Sequence, residues 1–486
     1  MKTNYCEMKN HRILIATIVW LAMFSQTMSA QVAWAPVEDQ LMTKWAKDVS
    51  ADHALPEYPR PQMARKEWQN LNGLWDYAIV PRESGRPADF QGQILVPFPV
   101  QSALSGVKKF LSPTNSLWYR RTFTVPVSWA GRRVLLNFGV DWQAKIWING
   151  INVGEHKGGY DPFSIDITDA LNVSGDQEIL VSVWDPNDRG SIPHGKQVLH
   201  PGGITYTAIS GIWQTVWLEP VGKASIASLK ITPDVDDSLV SVIVNGLDTH
   251  YMDTAQVEVL DGERIIAKGQ GKLGQAINLK IDDVKLWAPG SPFLYDLKVR
   301  LQSNGEVADE VTSYFGMRKV EIKKDEAGLN RIFLNGKALF EFGPLDQGWW
   351  PDGLYTAPTD EALKSDISET LNMGFNMTRK HVKVEPDRWY YWADKLGLLV
   401  WQDMPGGDRP ARNIPGQKRR SGGGRDGNDR LLADDTYEIY QREYQAEIET
   451  YYNHPCIICG CHSMKAGVSL IRFASLHGPS KWIRPA

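Results

Sequence analysis

The chain has 486 residues, 42% of them hydrophobic and 23% charged, which is enough material for more than one buried core, so several domains are expected. A formal net charge of −4 offers no basic surface of the kind a phosphate backbone needs, and this excludes a nucleic-acid partner on charge grounds. The four cysteines exclude a disulfide framework for a protein of this size.

Lys9, His11 and Arg12 precede the apolar run Ile13 to Phe24, and Ser25 to Ala30 is small and polar. This is the pattern of an export signal over residues 1–30, with Met8 as its natural start. The apolar run is too short to span a bilayer comfortably. No later stretch is apolar enough to anchor the chain, so the mature protein is expected to be extracytoplasmic, periplasmic or secreted, and free of the membrane after cleavage.

Residues 60–221 read as an antiparallel sandwich of short strands separated by turn residues. Trp68 to Trp75 suggests a hairpin turning at Asn72-Gly73, and Trp118 to Val125 alternates bulky and polar residues as a half-buried strand does. Lys145 to Ile148 and Ile151 to Gly154 fold back at Asn149-Gly150, and the strands continue to Ile212-Trp213 and Leu218. Asp185 to Gly190 and His194 to Gln197 form a polar loop that either is solvated or reaches a neighbouring site. The 19 Trp suit sugar-facing indoles, though most are expected to be core residues. Residues 222–318 form a second β unit, with alternating runs at Leu239 to Val244, Ala255 to Leu260 and Leu294 to Val299.

Beyond residue 319 the pattern changes to short apolar strands alternating with amphipathic helices, the unit of a parallel barrel or sheet. Phe333 to Lys337 makes a hairpin and Ala338 to Gly343 the first barrel strand. Asp346, Trp349 and Trp350 follow on a loop that suits sugar contact and packing equally. Thr359 caps a helix whose first turn holds Asp360 and Glu361. The next strand ends in Arg379 and His381, and the one after it in Trp401 and Asp403. Chemistry collects at the C-terminal ends of barrel strands, so these side chains are expected to face a common pocket. Residues 413–428, rich in Gly, Arg and Lys, lack the ending of a phosphate-binding loop and read as a mobile connection. A further helix spans Tyr437 to Tyr452. Cys456, Cys459, Cys461 and His462 crowd into one short segment, unlike the two knuckles of a structural zinc site, so neither metal nor cofactor is expected.

Several of these stretches resemble glycoside hydrolase family 2, which includes β-galactosidases and β-glucuronidases. Leu71 to Trp75, Trp118 to Phe123, the Asn149-Gly150 hairpin and Gly211-Ile212-Trp213 are similar to its sugar-binding jelly roll. Trp287-Ala288-Pro289 and Phe315-Gly316-Met317-Arg318 resemble its domain joints, Asn376 to Arg379 its pocket-organising "N-x-x-R" strand, and Asn453 to Ile458 the lead into its fourth barrel strand. The resemblance implies a multidomain chain: a β jelly-roll sandwich, an immunoglobulin-like β-sandwich over 222–318, then an incomplete (β/α)8 TIM barrel over 319–458. It also implies a carbohydrate substrate and hydrolysis of β-linked glycosides by a retaining mechanism. Arg379, His381, Trp401, Asp403, Asp346, Trp349 and Trp350 are then its substrate-contacting residues. Lys380 stands where the family often has Ser before His381.

Retaining hydrolysis needs one carboxyl group to protonate the leaving oxygen and another to attack the anomeric carbon. In the family the first is the Glu of an Asn-Glu pair ending the fourth strand, yet residues 459–486 contain no acidic residue. Joining the third base of each codon to the first two of the next, from Cys459 onward, permits Trp-Val-Pro-Phe-Asn-Glu-Gly-Trp. Its Glu is forced, because Met464-Lys465 can be written only ATG-AAA or ATG-AAG. Residues 459–486 are therefore expected to be an out-of-frame tail after a shift near Ile458, and the chain as written to be inactive. Glu341 or Glu385 supplying replacement chemistry, and a non-catalytic carbohydrate-binding protein, are the competing expectations. Sugar identity and oligomeric state are not legible in the sequence.

Overall fold

The computed structural model describes residues 34–406, 434–461 and 471–472, and Pro36 opens the compact unit that holds every element named below. The expected export signal, the 413–428 connection and residues 462–470 and 473–486 lie outside the described residues. Among those described, no helix is long and apolar enough to cross a membrane.

Period-two alternation builds the first two layers. A six-stranded sheet takes the order Gly92–Val96, Gly73–Pro81, Asn115–Phe123, Gln177–Trp184, Gln143–Ile148, Ile151–Lys157. It faces a four-stranded sheet ordered Gln69–Asn70, Trp217–Val221, Arg133–Phe138, Phe163–Asp166. All of these pairs are antiparallel. Leu117, Tyr119, Ile146, Ile179 and Val181 point into the space between, with Leu136 and Leu218 from the other side. Trp75 is fully buried there and its indole N–H donates to Leu71 O at 2.9 Å, so truncating it to Ala costs about 3–5 kcal/mol. Asn149 and Gly150 both have positive φ, 50° and 82°, and join Gln143–Ile148 to Ile151–Lys157 in a two-residue turn. The hairpin expected at Asn72-Gly73 does not form. Gln69–Asn70 pairs with Trp217–Val221 while Gly73–Pro81 joins the other sheet, so the chain crosses between layers there. Asn72 pins the crossing by donating to Ala54 O and accepting from Val216 N at 3.0 Å each.

The second unit stacks Ser225–Asp234, Leu239–Leu247 and Ala276–Lys280 on a four-stranded sheet. That sheet is ordered Arg264–Lys272, Thr254–Asp261, Tyr295–Ser303, Glu306–Phe315. Val240, Val242, Val244, Val257, Val259, Leu297 and Val299 fill the interior. Arg65 ties this unit to the first, reaching Glu219 at 3.2 Å and Asp309 at 2.8 Å while itself 5% exposed.

The third unit is a sheet in the order Leu345–Asp346, Met377–Lys380, Leu399–Asp403, Ile457–Cys461, Ile471–Arg472, with the first four strands parallel and the last antiparallel. Helix Asp360–Asn372 starts at Thr359, whose hydroxyl oxygen accepts from Ala362 N at 3.1 Å. Helix Asp387–Leu396 ends at Gly397 with φ 83°, the left-handed cap that glycine favours. Helix Asp434–Tyr451 precedes the fourth strand. The strand expected over Ala338 to Gly343 is displaced. Residues 339–344 carry no strand, and the first parallel pairing begins at Leu345. Asn376 occupies that edge instead, its amide bonding Phe340 O and Phe342 N at 2.9 Å each, which leaves Phe340 and Phe342 exposed.

The second and third units meet along a polar seam. Arg318 donates to Pro455 O and to Ile457 O, the latter at 2.8 Å. Asn453 bridges Leu229 O and Ile231 N at 2.8 Å each. His454 is fully buried between Asp394 at 2.6 Å and Asp387 at 2.7 Å, and Tyr314 donates to the same Asp394 at 2.8 Å.

Candidate active site

Parallel register sets Leu345, Arg379 and Trp401 in one row and Asp346, Lys380 and Gln402 in the next. The C-terminal ends of these strands bring four of the expected residues to one rim. Arg379 grips Asp403 with two hydrogen bonds, Nε to Oδ1 at 3.0 Å and Nη2 to Oδ2 at 2.9 Å, the bidentate geometry that makes such pairs strong. His381 Nδ1 meets Asp403 Oδ2 at 2.8 Å. Burial lowers the His381 pKa below its ordinary value although Asp403 opposes that shift, so the ring is neutral at pH 7 and carries its proton on Nδ1. Asp403 is 1% exposed, whereas Arg379 and His381 keep 18% and 15% of their side chains open, so the acid is a buried anchor and the two bases are the accessible groups.

Asp346 has partners of its own, accepting from Lys380 Nζ at 2.6 Å and Gly348 N at 2.7 Å. Burial works against its ionisation, but the charge and hydrogen bond of Lys380 outweigh it and hold the carboxyl below its usual range. Trp349 stacks on Tyr206 of the first unit, ring centres 4.6 Å apart and planes 16° apart. Trp350 lies apart from this rim, 6% exposed and edge-on to Trp45, so packing accounts for it. Trp401 stands one residue pair below Asp403 on its strand. Its indole N–H is buried and faces the carboxyl of Glu341. Burial raises the Glu341 carboxyl to about 7, with Trp401 pulling the other way. Glu341 sits in the segment that Asn376 holds at the opening of the sheet, away from the strand ends.

The polar loop of the first unit does reach this rim. His194 N and Gly195 N both donate to Gly406 O, at 3.1 and 2.5 Å. Gly195 has φ 61°, and a Cβ there would meet Val382 O at 2.5 Å, so the approach requires glycine.

Sequence reasoning missed the ion network beneath the rim. Lys380, fully buried, bridges Asp346 and Glu385, the latter at 2.8 Å, and stands 4.0 Å over the Trp389 ring. Lys383, 1% exposed, shares Glu385 at 3.0 Å and donates to Gly348 O. Both Glu385 oxygens are thus committed to ammonium groups. Tyr390 donates to Gln402 Oε1 at 2.6 Å, and Gln402 donates to Lys383 O at 2.8 Å. No period in Lys380 to Glu385 signals this network, because the strand ends at Lys380 and the residues that follow carry no regular element before the helix at Asp387. Glu443 was also missed. It enters from helix Asp434–Tyr451, accepts from Trp142 Nε1 at 2.9 Å and Gly159 N at 3.3 Å, and burial raises it to about 7.

Residues 87–219 match Glycosyl hydrolases family 2, sugar binding domain, and residues 216–318 match Glycosyl hydrolases family 2. A β-galactosidase of Thermoanaerobacter pseudethanolicus is 28% identical over 61% of this chain and 41% of its own length. A putative β-glucuronidase of Formosa agariphila is 30% identical over 59% of this chain and 35% of its own, and the β-glucuronidase of Felis catus 28% over 72% and 58%. The chain therefore spans between about a third and three fifths of these relatives. In fold it is similar to a β-D-glucuronidase of Dictyoglomus thermophilum, with a TM-score of 0.66 at 20% identity over 84% of this chain and 68% of the other. A β-glucuronidase of Ruminococcus gnavus solved with D-glucuronic acid gives 0.65 at 20%, with the same coverage. Two adjoining family-model matches and this set of relatives support a place for the chain among the glycosyl hydrolases of family 2.

Proposed function

We propose that this chain is a β-glycosidase of the galactosidase and glucuronidase kind, with a carbohydrate substrate seated at the strand ends between Asp346 and Asp403. The observation that carries the reading is the Arg379–Asp403–His381 cluster, an anchored carboxylate presenting a guanidinium and a neutral imidazole under the His194-Gly195 loop. Arg379 and His381 are suited to orienting sugar hydroxyl or carboxylate groups, with Asp346, Trp349 and Trp401 lining the same space. Trp350 belongs to the packing. In this reading the three units are a jelly roll over 60–221, an immunoglobulin-like sandwich over 222–318 and the opening of a TIM barrel over 319–458. The mature protein works outside the cytoplasm, its export signal over residues 1–30 removed.

Double displacement requires an acid/base and a nucleophile 5–5.5 Å apart. Neither Glu385, held by two lysines, nor Glu341, at the opposite end of the sheet, meets that need. The acid/base is instead the Glu encoded one frame away across Met464-Lys465, and the chain as written is silent. The purified 486-residue chain is expected to leave chromogenic β-glucuronides and β-galactosides intact. The nucleotide sequence from His454 onward is expected to reveal the displaced frame. Turnover by this chain, free of contaminating enzyme, refutes the silence, and a gene read without any shift refutes its cause.

A further inference from the structure

The outer face of the six-stranded sheet is the solvent side of an antiparallel layer, where polar residues are the rule. Here it carries three tryptophans. Register places Trp118 opposite Ser182, Ser182 opposite Lys145, and Leu180 opposite Trp147. Trp118 and Trp147 therefore meet diagonally across the central strand and stack, ring centres 5.3 Å apart at 21°. Trp184 lies on the same face, fixed by its indole N–H donating to Pro113 O at 2.7 Å, with the Arg82 guanidinium 3.6 Å over its ring. These groups line a groove of about 430 Å³, within the range of small-molecule sites, about 300–1,000 Å³.

The charges along the groove have one sign. Arg82, Arg86 and Lys145 line it and no Asp or Glu does. Arg86 commits one side of its guanidinium to Glu178 at 3.1 Å, in a pair more than half exposed on the Arg side. Indole faces match the apolar faces of pyranose rings, and guanidinium forks match planar carboxylates. We propose that this groove is a second carbohydrate site, separate from the strand ends, that takes an oligosaccharide bearing uronic acids. The indole of Trp147 lies against a sugar ring, Trp184 holds the Arg82 guanidinium in place on its own ring, and Arg82, Arg86 and Lys145 receive the carboxylates. The site holds a polymeric chain to the protein and performs no chemistry, so it stands whether or not the strand-end site turns over.

Calorimetric titration of the full chain with a hexameric oligogalacturonide, against cellohexaose as its neutral counterpart, tests this. The acidic hexamer is expected to bind at least tenfold more tightly, and to weaken as salt rises from about 50 to 300 mM. Trp147→Ala and Lys145→Glu are each expected to cost about tenfold. Lys145 is exposed on its strand, so its substitution keeps the fold even if Trp147→Ala disturbs the stacked pair. Equal binding of the neutral hexamer, no binding, or binding indifferent to Lys145→Glu overturns the proposal, and a sulfated hexamer that binds more tightly overturns the carboxylate assignment.

Discussion

The His454 network allows a quantitative test of how the units are held together. The imidazole is enclosed by Asp394 and Asp387 with no exposure to solvent. Burial opposes its charge, but the two carboxylates prevail and raise its pKa from 6.5 to about 10. A group whose folded pKa exceeds its unfolded one stabilises fully below the unfolded value and loses that contribution as pH climbs through the folded one. At about 1.4 kcal/mol per pH unit over the interval, His454 contributes roughly 4–5 kcal/mol near pH 6. Urea unfolding of the wild type and of His454→Asn, followed by near-UV circular dichroism at pH 6.5, 8 and 9.5, measures this. The variant is expected to be less stable by about 3–5 kcal/mol at the lowest pH, with the gap shrinking to about 1 kcal/mol at the highest. A gap that stays constant across the series refutes an imidazolium at this position.

Asp403→Asn removes the group that supports protonation of His381, so its already lowered pKa is expected to fall further, seen as an acid shift of its carbon-bound proton resonance. Lys380→Met leaves Asp346 without its ammonium partner and is expected to destabilise by about 3–5 kcal/mol in urea melts. Gly343→Ala would place a Cβ 1.7 Å from Met377 O and is expected to leave the protein insoluble or lacking its first parallel strand by hydrogen exchange. Gly336→Ala, with φ 75° and open space around it, is expected to cost only about 1 kcal/mol of thermal stability.

Where side-chain period and turn chemistry agreed, the sequence was a sufficient guide. Asn149-Gly150 and Asn335-Gly336 adopt the positive φ values that their residue types favour, and Thr359 caps its helix. Asn72-Gly73 has the same turn chemistry and failed, because Gln69 and Asn70 found partners 149 and 147 residues away in Leu218 and Trp217. Local signals cannot anticipate such a pairing. Arg379, His381 and Asp403 were legible because they end consecutive strands. The ammonium groups of Lys380 and Lys383 were not, since buried lysines arise only when distant Asp346 and nearby Glu385 converge on them. Trp350 and the groove tryptophans show the opposite ambiguity: an indole reads alike in sequence whether it meets Trp45 or faces solvent.

The bonds that Arg318 and Asn453 make across the seam give the second unit a mechanical office. Ile457–Cys461 is gripped from outside at Ile457 O by the Arg318 guanidinium, and the turn leading into it by the bonds of Asn453 to Leu229 O and Ile231 N, not only by its neighbours within the sheet. The preceding unit thus acts as a splint that fixes the position of this strand independently of its neighbours in the sheet. A fragment beginning at residue 319 would lose that jig and with it the alignment of its fourth strand.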